Sequence, residues 1–429
     1  MSKSYFSLFF KGSAFSIIAL GVTGILNYLI RRYLVFTLSE YEYGLFYSIF
    51  ALVSLAGSFA EFGLTQAGTV MVSEASLQQE EHRQLSSIFS CLFSLKFITS
   101  LIFFLILLIF NVPLREYCLK GVTFDIYFLG ILLLLSQIFV TVFRALWNGT
   151  KHFLLFNLLI IVRVAFVYAA VLCLTKAFMI YGVLIAFVFA PFPAYLIAFY
   201  IARKLNGVSF YLNVNKSIWK KLLYLSGYVA IATTFMNLIY HLNTIMLTAM
   251  KGMEVSAQFN VALPIMQILQ SAMVFPFIFL PLAVQMAKEM DYKSILFYRN
   301  LSTLLLLLVL PASYLIFWLI SPWLITFLFA DKYVGLANTV TLLCCGQILY
   351  TYGCFLMQII IAMKGEKLIA ILAVFCVILN VLLNLILIPV YSIPGTAMAT
   401  LIAYFFFAGV SYFILSHLIK KHNQPVTAS

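Results

Sequence analysis

Five ionisable side chains interrupt the long apolar stretches of this 429-residue sequence: Arg31, Arg32, Glu61, Lys96 and Arg163. A charge inside a bilayer is costly, and it usually faces a polar cavity or a partner of opposite sign. The set contains four cations and one carboxylate, all in the first half of the chain. Because arginine binds phosphate oxygens through two parallel hydrogen bonds, this surplus indicates an anionic ligand such as a lipid pyrophosphate.

Structural roles compete with ligand binding at these positions. Arg31 and Arg32 lie near the outer end of their span and can extend to lipid headgroups. Adjacent residues point about 100° apart on a helix, so we expect only one of the two to face a cavity. Asn27 shares a face with Arg31, which favours Arg31. Glu61 can serve instead as the structural partner of a neighbouring cation.

Neutral polar residues recur on single helical faces elsewhere in the chain. They follow the three- and four-residue spacing of a helix in four groups: Asn237, Tyr240, His241 and Thr244; Gln347, Thr351, Cys354 and Gln358; Gln137, Thr141 and Arg144; and Asn380 and Asn384. Such stripes line a wet cavity or join helices through hydrogen bonds. We predict a cavity, in which Asn237, His241, Gln347, Gln358 and Asn384 contact the ligand. His241 has a second interpretation, as a proton-sensing group.

The elements that position these residues are membrane-spanning helices. The sequence is 64% hydrophobic and 9% charged, with a mean hydropathy of +1.09, whereas soluble domains carry about 25% charged residues. The apolar runs are long and continuous, unlike the short alternating strands of a barrel. We predict an all-α, polytopic membrane protein of about 12 transmembrane helices. The predicted spans are 14–37, 44–66, 86–110, 124–144, 153–174, 179–201, 222–250, 256–282, 298–320, 336–362, 368–388 and 395–417.

The positions of lysine and arginine predict the orientation of the chain. With the N-terminus inside, the inside segments carry 17 of these residues and the outside segments carry 5. We therefore expect a multi-pass protein of the cytoplasmic (inner) membrane with both termini cytoplasmic. Most of the net charge of +13 follows from this bias, so membrane lipids are expected partners and nucleic acid is not.

The two halves of the chain share a pattern. The matching pairs are Ser58–Glu74 with Phe275–Glu289, Gly149 with Gly365, and Gly182 with Gly395. The longest inside loop, 203–221, lies between the halves. We predict two six-helix lobes, 1–207 and 208–429, around a central cavity, as in transporters built from parallel repeats.

Several classes of protein are disfavoured. The sequence has no phosphate-binding loop of the ATPase type and no nucleophile–base–acid set in its loops, so we expect neither an ATPase nor another enzyme. It also has no cluster of cysteine and histidine with metal-ligand spacing, and we expect no cofactor or metal. Cys118 is the only cysteine in a predicted outside loop.

Four segments resemble one family of transporters. Leu38–Phe50 (LSEYEYGLFYSIF) and Phe59–Gln66 (FAEFGLTQ) resemble the N-terminal signature of the Wzx-like oligosaccharide flippases. Asn243–Leu269 resembles their seventh and eighth spans, and Asn380–Tyr404 resembles their eleventh-to-twelfth junction. These flippases form the polysaccharide transport family of the multidrug/oligosaccharidyl-lipid/polysaccharide exporter superfamily.

The resemblance implies a two-lobed fold of twelve helices with a central cavity. It also implies a flippase that moves a polyprenyl-pyrophosphate-linked oligosaccharide across the cytoplasmic membrane, by alternating access, for O-antigen, capsule or other surface polysaccharide. A polysaccharide polymerase and glycosyltransferases are the implied protein partners. By position, Arg31, Lys96 and Arg163 are the equivalents of the family's cationic cavity residues. The family often has Asp where this chain has Asn243, which argues against ion coupling through an acid there.

Two alternative functions remain open at this stage. A drug/cation antiporter of the same superfamily needs acidic residues in its cavity, and only Glu61 qualifies. A membrane glycosyltransferase or polymerase needs catalytic acids and often a large external loop. The longest outside loops, near 111–123 and 321–335, are short and carry few acids.

Overall fold

A computed structural model describes residues 3–77, 82–209, 211–212, 214–270, 274–329 and 331–423. Fifteen helices make up most of this part of the chain. They are α1 (Lys3–Thr37), α2 (Glu40–Glu61), α3 (Leu64–Leu77), α4 (His82–Ile109), α5 (Phe124–Ile131), α6 (Leu133–Gly149), α7 (Phe153–Phe189), α8 (Phe192–Asn206), α9 (Lys216–Lys251), α10 (Met253–Gln270), α11 (Val274–Lys288), α12 (Tyr292–Leu328), α13 (Ala337–Ala362), α14 (Glu366–Tyr391) and α15 (Ile393–Asn423). The described residues contain no β-strand, and the all-α class is confirmed.

The number of spans depends on how broken helices are counted. Nine segments of the described chain are long and apolar enough to cross a membrane, and α9, which is bent, makes a tenth. One of the nine, Phe153–Asn206, is 54 residues long and contains two of the predicted spans, since a crossing needs only ~20 residues. The predicted span 256–282 lies on α10 and α11, apart from residues 271–273, which are outside the described part. A multi-pass helical membrane protein is confirmed.

The second predicted span, 44–66, is interrupted by a helix break. Phe62 and Gly63 have positive φ angles of 30° and 75°, so α2 ends at Glu61 and a separate helix begins at Leu64. The start of α2 is well defined by a capping box. The hydroxyl of Ser39 accepts from the backbone N–H of Glu42 at 3.2 Å, and the Glu42 carboxylate accepts from the backbone N–H of Ser39 at 3.1 Å.

Several helix ends in the two halves recur at the same interval. The segment Phe124–Gly149, covered by α5 and α6, corresponds to α13, Ala337–Ala362, and Phe153 at the start of α7 corresponds to Glu366 at the start of α14. The differences 337 − 124, 362 − 149 and 366 − 153 all equal 213. The halves are therefore structural repeats.

The turn before α7 and the turn before α14 have the same geometry. Lys151 and Lys364 each have a φ of 62°. The backbone N–H of the following residue donates to a carbonyl five residues back, from His152 at 2.7 Å and from Gly365 at 2.8 Å. Lys151 is thus the equivalent of Lys364, and the match of Gly149 with Gly365 was wrong by three residues.

A second break recurs near Gly182 and Gly395, the other matched pair. Met179 (φ 49°, ψ −125°) and Ser392 (φ 54°, ψ −125°) leave the helical region three residues before these glycines. A Cβ atom would lie 2.3 Å from the carbonyl oxygen of Leu174 at Gly182, and 2.4 Å from that of Leu387 at Gly395. Only glycine fits this close backbone approach.

The chain divides into two compact units, Met1–Ala230 and Ile231–Ser429. The division falls within α9, just past Gly227, whose backbone angles (φ 40°, ψ −167°) are not helical. The first unit has a core formed largely by α3, α4 and α6, and the second has a core formed largely by α13, α14 and α15. The functional lobe boundary at 207/208 and the central cavity stay predictions.

Candidate functional site

In the first unit, Glu61 and Lys96 form an ion pair. The side chain of Lys96, on α4, is 2% exposed, and its ammonium donates to the carboxylate of Glu61 and to the hydroxyl of Thr65, the latter at 2.6 Å. The second carboxylate oxygen of Glu61 accepts from the backbone N–H of Thr65 at 2.8 Å, in the first turn of α3. Glu61 therefore bridges the break between α2 and α3 and places a negative charge at the N-terminus of α3.

Arg144 adds a positive charge near this pair. It interacts electrostatically with both Glu61 and Lys96. Its side chain is exposed, and its guanidinium lies 5.5 Å from the ring centroid of Phe156. The sequence pattern placed Arg144 on a polar face of its helix, but its proximity to Glu61 was not predicted. The group of Glu61, Lys96 and Arg144 carries one net positive charge, borne by an arginine that remains accessible.

Arg31 and Arg32 differ in their surroundings. The guanidinium of Arg31 lies 4.7 Å from the ring centroid of Tyr47 on α2, and its side chain is half-buried. Arg32 is exposed and donates to the hydroxyl of Tyr28 at 3.1 Å. Asn27, one turn before Arg31, is exposed. Of the two arginines, Arg31 is the one positioned inside the unit.

Arg163 lies on α7 beside the hydroxyl of Tyr195 on α8. Its Nε atom is buried and has no hydrogen-bond partner among the described residues. The ring of Tyr195 stacks on Phe139 at a centroid distance of 5.3 Å, which fixes the tyrosine. A buried N–H group normally has an acceptor. The Nε–H of Arg163 can therefore donate to a bound ligand. Of the candidates in this unit, Glu61 and Lys96 are in direct contact, and Arg31 and Arg163 lie against separate aromatic residues.

In the second unit, buried amides form a hydrogen-bonded network. Asn384 on α14 donates to the carbonyl oxygen of Asn243 at 2.7 Å and to that of Asn380 at 3.1 Å. Asn243 on α9 donates to the hydroxyl of Thr400 on α15 at 2.7 Å. All four side chains are at most 1% exposed. This network joins three helices. Of its members only Asn384 was predicted to contact the ligand; Asn243, Asn380 and Thr400 were not.

A second polar contact links α9 to α13. The hydroxyl of Tyr240 donates to Gln347 Oε1 at 2.7 Å, and Gln347 is fully buried. Its Nε2 atom has no hydrogen-bond partner in the described part of the chain. The other candidates of this unit differ in solvent exposure: Gln358 is buried, His241 is half-buried and Asn237 is exposed. Several residues of the polar stripes, among them Tyr240, Gln347 and Asn384, therefore form hydrogen bonds between helices.

The two units thus share a backbone repeat but carry different polar side chains. At the interval of 213 that relates α7 to α14, Arg163 corresponds to Cys376. The cations belong to the first unit, and the second offers neutral amides and hydroxyls. No group of three or more His, Cys, Asp or Glu side chains suitable for a metal ion occurs among the described residues.

Comparison with solved structures identifies the fold. A multidrug resistance MATE family transporter of the MOP superfamily, in its inward-facing conformation, matches with a TM-score of 0.76 and 14% identity, over 96% of this chain and 100% of that one. The outward-facing conformation of such a transporter matches with a TM-score of 0.69 and 14% identity, over 96% and 95% of the two chains.

A MOP superfamily transporter from Pyrococcus furiosus matches with a TM-score of 0.62 and 13% identity, over 96% of this chain and 95% of that one. Its description reports that reverse polarity of its binding pocket suggests a different function. A comparison with curated protein sequences gives no match. The model of the polysaccharide biosynthesis protein family matches residues 9–287, well over half of the chain. The protein therefore belongs to the polysaccharide biosynthesis protein family and has the fold of the MOP superfamily exporters.

Proposed function

We propose that the protein is a flippase for a polyprenyl-pyrophosphate-linked oligosaccharide, which it moves across the cytoplasmic membrane by alternating access. The product would serve the assembly of O-antigen, capsule or another surface polysaccharide, with a polymerase and glycosyltransferases as partners. Both termini would lie in the cytoplasm. The observation that carries the proposal is the surplus of intramembrane arginine in the first unit, where the carboxylate of Glu61 is already paired with Lys96.

Arg163 and Arg31 are the proposed phosphate-binding residues. Arg163 has a buried Nε–H without a partner among the described residues, which a phosphate oxygen would satisfy. Arg31 lies over the ring of Tyr47, 4.7 Å from the centroid, and supplies a second positive charge in this unit. Lys96 contributes only if an incoming anion competes with Glu61 for its ammonium, because the side chain is buried and already paired. Asn and Gln side chains of the second unit suit the hydroxyl groups of a sugar.

Complementation in a bacterium that lacks its own O-antigen flippase tests this function. Surface glycan would be measured for the parent chain and for Arg163→Ala, Arg163→Lys and Arg31→Ala. The matched control is Arg32→Ala, an adjacent arginine with an exposed side chain. We expect Arg163→Ala to reduce surface glycan at least tenfold and Arg32→Ala to leave it unchanged. Arg163→Lys should recover only part of it, because an ammonium keeps the charge but not the two-pronged geometry.

Full transport by Arg163→Ala and Arg31→Ala at normal membrane levels would overturn the role of these cations. Failure of the parent chain with flippase substrates of several glycan types would overturn the proposed function itself.

A drug/cation antiporter is the second candidate, because the solved structures that share the fold include multidrug transporters. A carrier of organic cations needs an available intramembrane carboxylate. Glu61 is a weak candidate for that role, since its carboxylate is occupied by Lys96 and by the N–H of Thr65. Efflux of cationic dyes from cells that express the parent chain, abolished by Glu61→Gln, would favour the antiporter over the flippase.

A further inference from the structure

In the second unit, an apolar groove runs along α12. One cavity of about 460 Å³ is lined by residues of α11, α12 and α13, among them Leu282, Tyr298 and Leu301. A second cavity of about 300 Å³ continues from it to Val309 and Gln347. The two cavities share Ser302, Leu305 and Phe355, so they form one continuous groove, which we call the α12 groove.

The α12 groove has the length and the surroundings of a lipid-chain site. From Tyr298 to Val309 the helix rises about 16 Å, at 1.5 Å per residue. That is roughly half of the ~30 Å hydrocarbon thickness of a bilayer. Within an 18-residue apolar stretch of α12, only 6% is buried inside the protein. The groove therefore opens on the hydrocarbon region, and its natural occupant is a hydrocarbon chain.

One end of the α12 groove is polar. Gln347 lines it and is 0% exposed. Because Oε1 of Gln347 accepts from Tyr240 at 2.7 Å, the orientation of the amide is set and Nε2 is the remaining donor. This Nε2 has no hydrogen-bond partner in the described part of the chain, and a buried donor without an acceptor is costly. Thr351, one turn further along α13, also lines this end.

The depth of this polar end selects the kind of lipid. Gln347 is the eleventh residue of the 26-residue helix α13, so it lies about 15 Å from the start of that helix, near mid-membrane depth. The headgroup of an ordinary bilayer phospholipid stays at the membrane surface. A lipid whose polar end is being carried across the bilayer does reach this depth.

We propose that the α12 groove binds a polyprenyl phosphate, with the first isoprenoid units along α12 and a phosphate oxygen accepting from Gln347 Nε2. The inference rests on the proposed flippase function and extends it, because it gives the lipid tail a protein site while the head crosses. Leu305, which both cavities share, is the residue at which the groove is most easily blocked.

Photo-crosslinking of the full-length protein in detergent micelles tests the proposal. The probe is a polyprenyl phosphate that carries a diazirine in its first isoprenoid units. The blocking variant is Leu305→Trp. Its matched control is Leu304→Trp, because the two leucines are adjacent and similarly exposed, at 51% and 55%, and Leu304 lines neither cavity. Gln347→Leu removes the polar donor at similar volume.

We expect crosslinks on residues 298–309 and on α13, reduced at least tenfold by Leu305→Trp and unchanged by Leu304→Trp. Unlabelled polyprenyl phosphate should compete, and a phospholipid at the same concentration should not. Gln347→Leu should weaken this competition several-fold without removing the crosslinks to α12. Equal thermal unfolding of the variants would show that they are folded.

Equal competition by the phospholipid would identify the occupant as ordinary bilayer lipid and would overturn the proposal, as would undiminished crosslinking in Leu305→Trp. These results are independent of the complementation assay. Specific prenyl crosslinking in a chain that fails every complementation would remove the proposed function and leave the lipid site. Successful complementation without crosslinking in the groove would do the reverse.

Discussion

Lys96 and Glu61 differ in burial, and this difference sets how each responds to loss of the other. Lys96 is 2% exposed and Glu61 is 29% exposed. Glu61→Gln keeps an oxygen acceptor for the N–H of Thr65 but leaves a buried ammonium without its counter-charge, at a cost of about 3 kcal/mol. Lys96→Met leaves a carboxylate that solvent or Arg144 can still stabilise, so its cost should be smaller.

Thermal unfolding of the detergent-solubilised protein checks this order. We expect Glu61→Gln to lower the unfolding temperature more than Lys96→Met. The double variant should be more stable than the sum of the two losses predicts, because no isolated charge remains. Losses that simply add in the double variant would show that the ion pair contributes nothing to stability.

The buried amide network of the second unit makes a second prediction at single residues. Asn384→Leu leaves the carbonyl oxygens of Asn243 and Asn380 without their donor, and we expect a loss of about 1–3 kcal/mol in the free energy of unfolding. Asn237→Leu is the control, because Asn237 is an exposed asparagine on the same face of α9 as Tyr240. Equal stability of the two variants by thermal unfolding would contradict a structural role for the network.

Single residues were predicted unevenly from the sequence. The residue types and depths of Lys96 and Arg163 were evident, because a charge in an apolar run stands out. Their partners were not, since contacts such as that between Lys96 on α4 and Glu61 at the end of α2 depend on tertiary packing. Asn243 was noticed only as a departure from the family pattern, and its two hydrogen bonds to other helices were not predicted.

At the scale of elements, the tight turns after Met179 and Ser392 depend on glycine. A methyl group at Gly182 or Gly395 would collide with a backbone carbonyl at 2.3 or 2.4 Å, and backbone cannot rotate away as a side chain does. We expect Gly182→Ala and Gly395→Ala each to lower the free energy of unfolding by about 1–3 kcal/mol.

The control is Gly409→Ala, in the interior of α15, where an added Cβ has nothing within 4 Å. Alanine favours a helix interior over glycine by up to about 1 kcal/mol, so this variant should be neutral or slightly stabilising. Thermal unfolding of the three variants checks the contrast. Normal stability in both turn variants would mean that the two turns do not need glycine.

The sequence predicted helices better than the breaks within them. Apolar runs of about twenty residues located the spans, because crossing a bilayer demands that length. The break at Phe62 and the register at Lys151 and Lys364 were missed for one reason. Left-handed backbone is expected at glycine or asparagine, and here phenylalanine and lysine adopt it. Tertiary packing holds these residues in that conformation, and a sequence pattern does not report it.

At the scale of the whole molecule, the two halves share helix positions but differ in the side chains that those helices carry. Several helix ends coincide at an interval of 213 residues, yet the predicted intramembrane cations Arg31, Lys96 and Arg163 all lie in the first half. Under the proposed function this difference has a use, because the phosphate and the sugar hydroxyls of a glycolipid require different partners.

The orientation of the whole chain makes the last prediction, and Cys118 reports it. Cys118 lies in the segment between α4 and α5, which the positive-inside pattern places outside, and it is half-buried. Of the other six cysteines, four are buried, Cys91 among them with Cys344, Cys345 and Cys354, as is Cys376, and Cys173 is exposed near the outside end of the predicted span 153–174. The test therefore uses a Cys173→Ser background. A charged, membrane-impermeant maleimide added to intact cells should label Cys173→Ser and fail to label the double variant Cys118→Ser/Cys173→Ser.

The pH dependence of this labelling follows from burial. Burial raises the pKa of the Cys118 thiol above its ordinary value of 9.0, and the thiolate is the form that reacts. Below that pKa the thiolate fraction rises about tenfold per pH unit, so labelling should be slow at pH 7 and should still accelerate above pH 9, where an ordinary thiol levels off. Labelling that appears only after the cells are permeabilised would place this loop in the cytoplasm. The predicted orientation of the chain in the membrane would then be reversed.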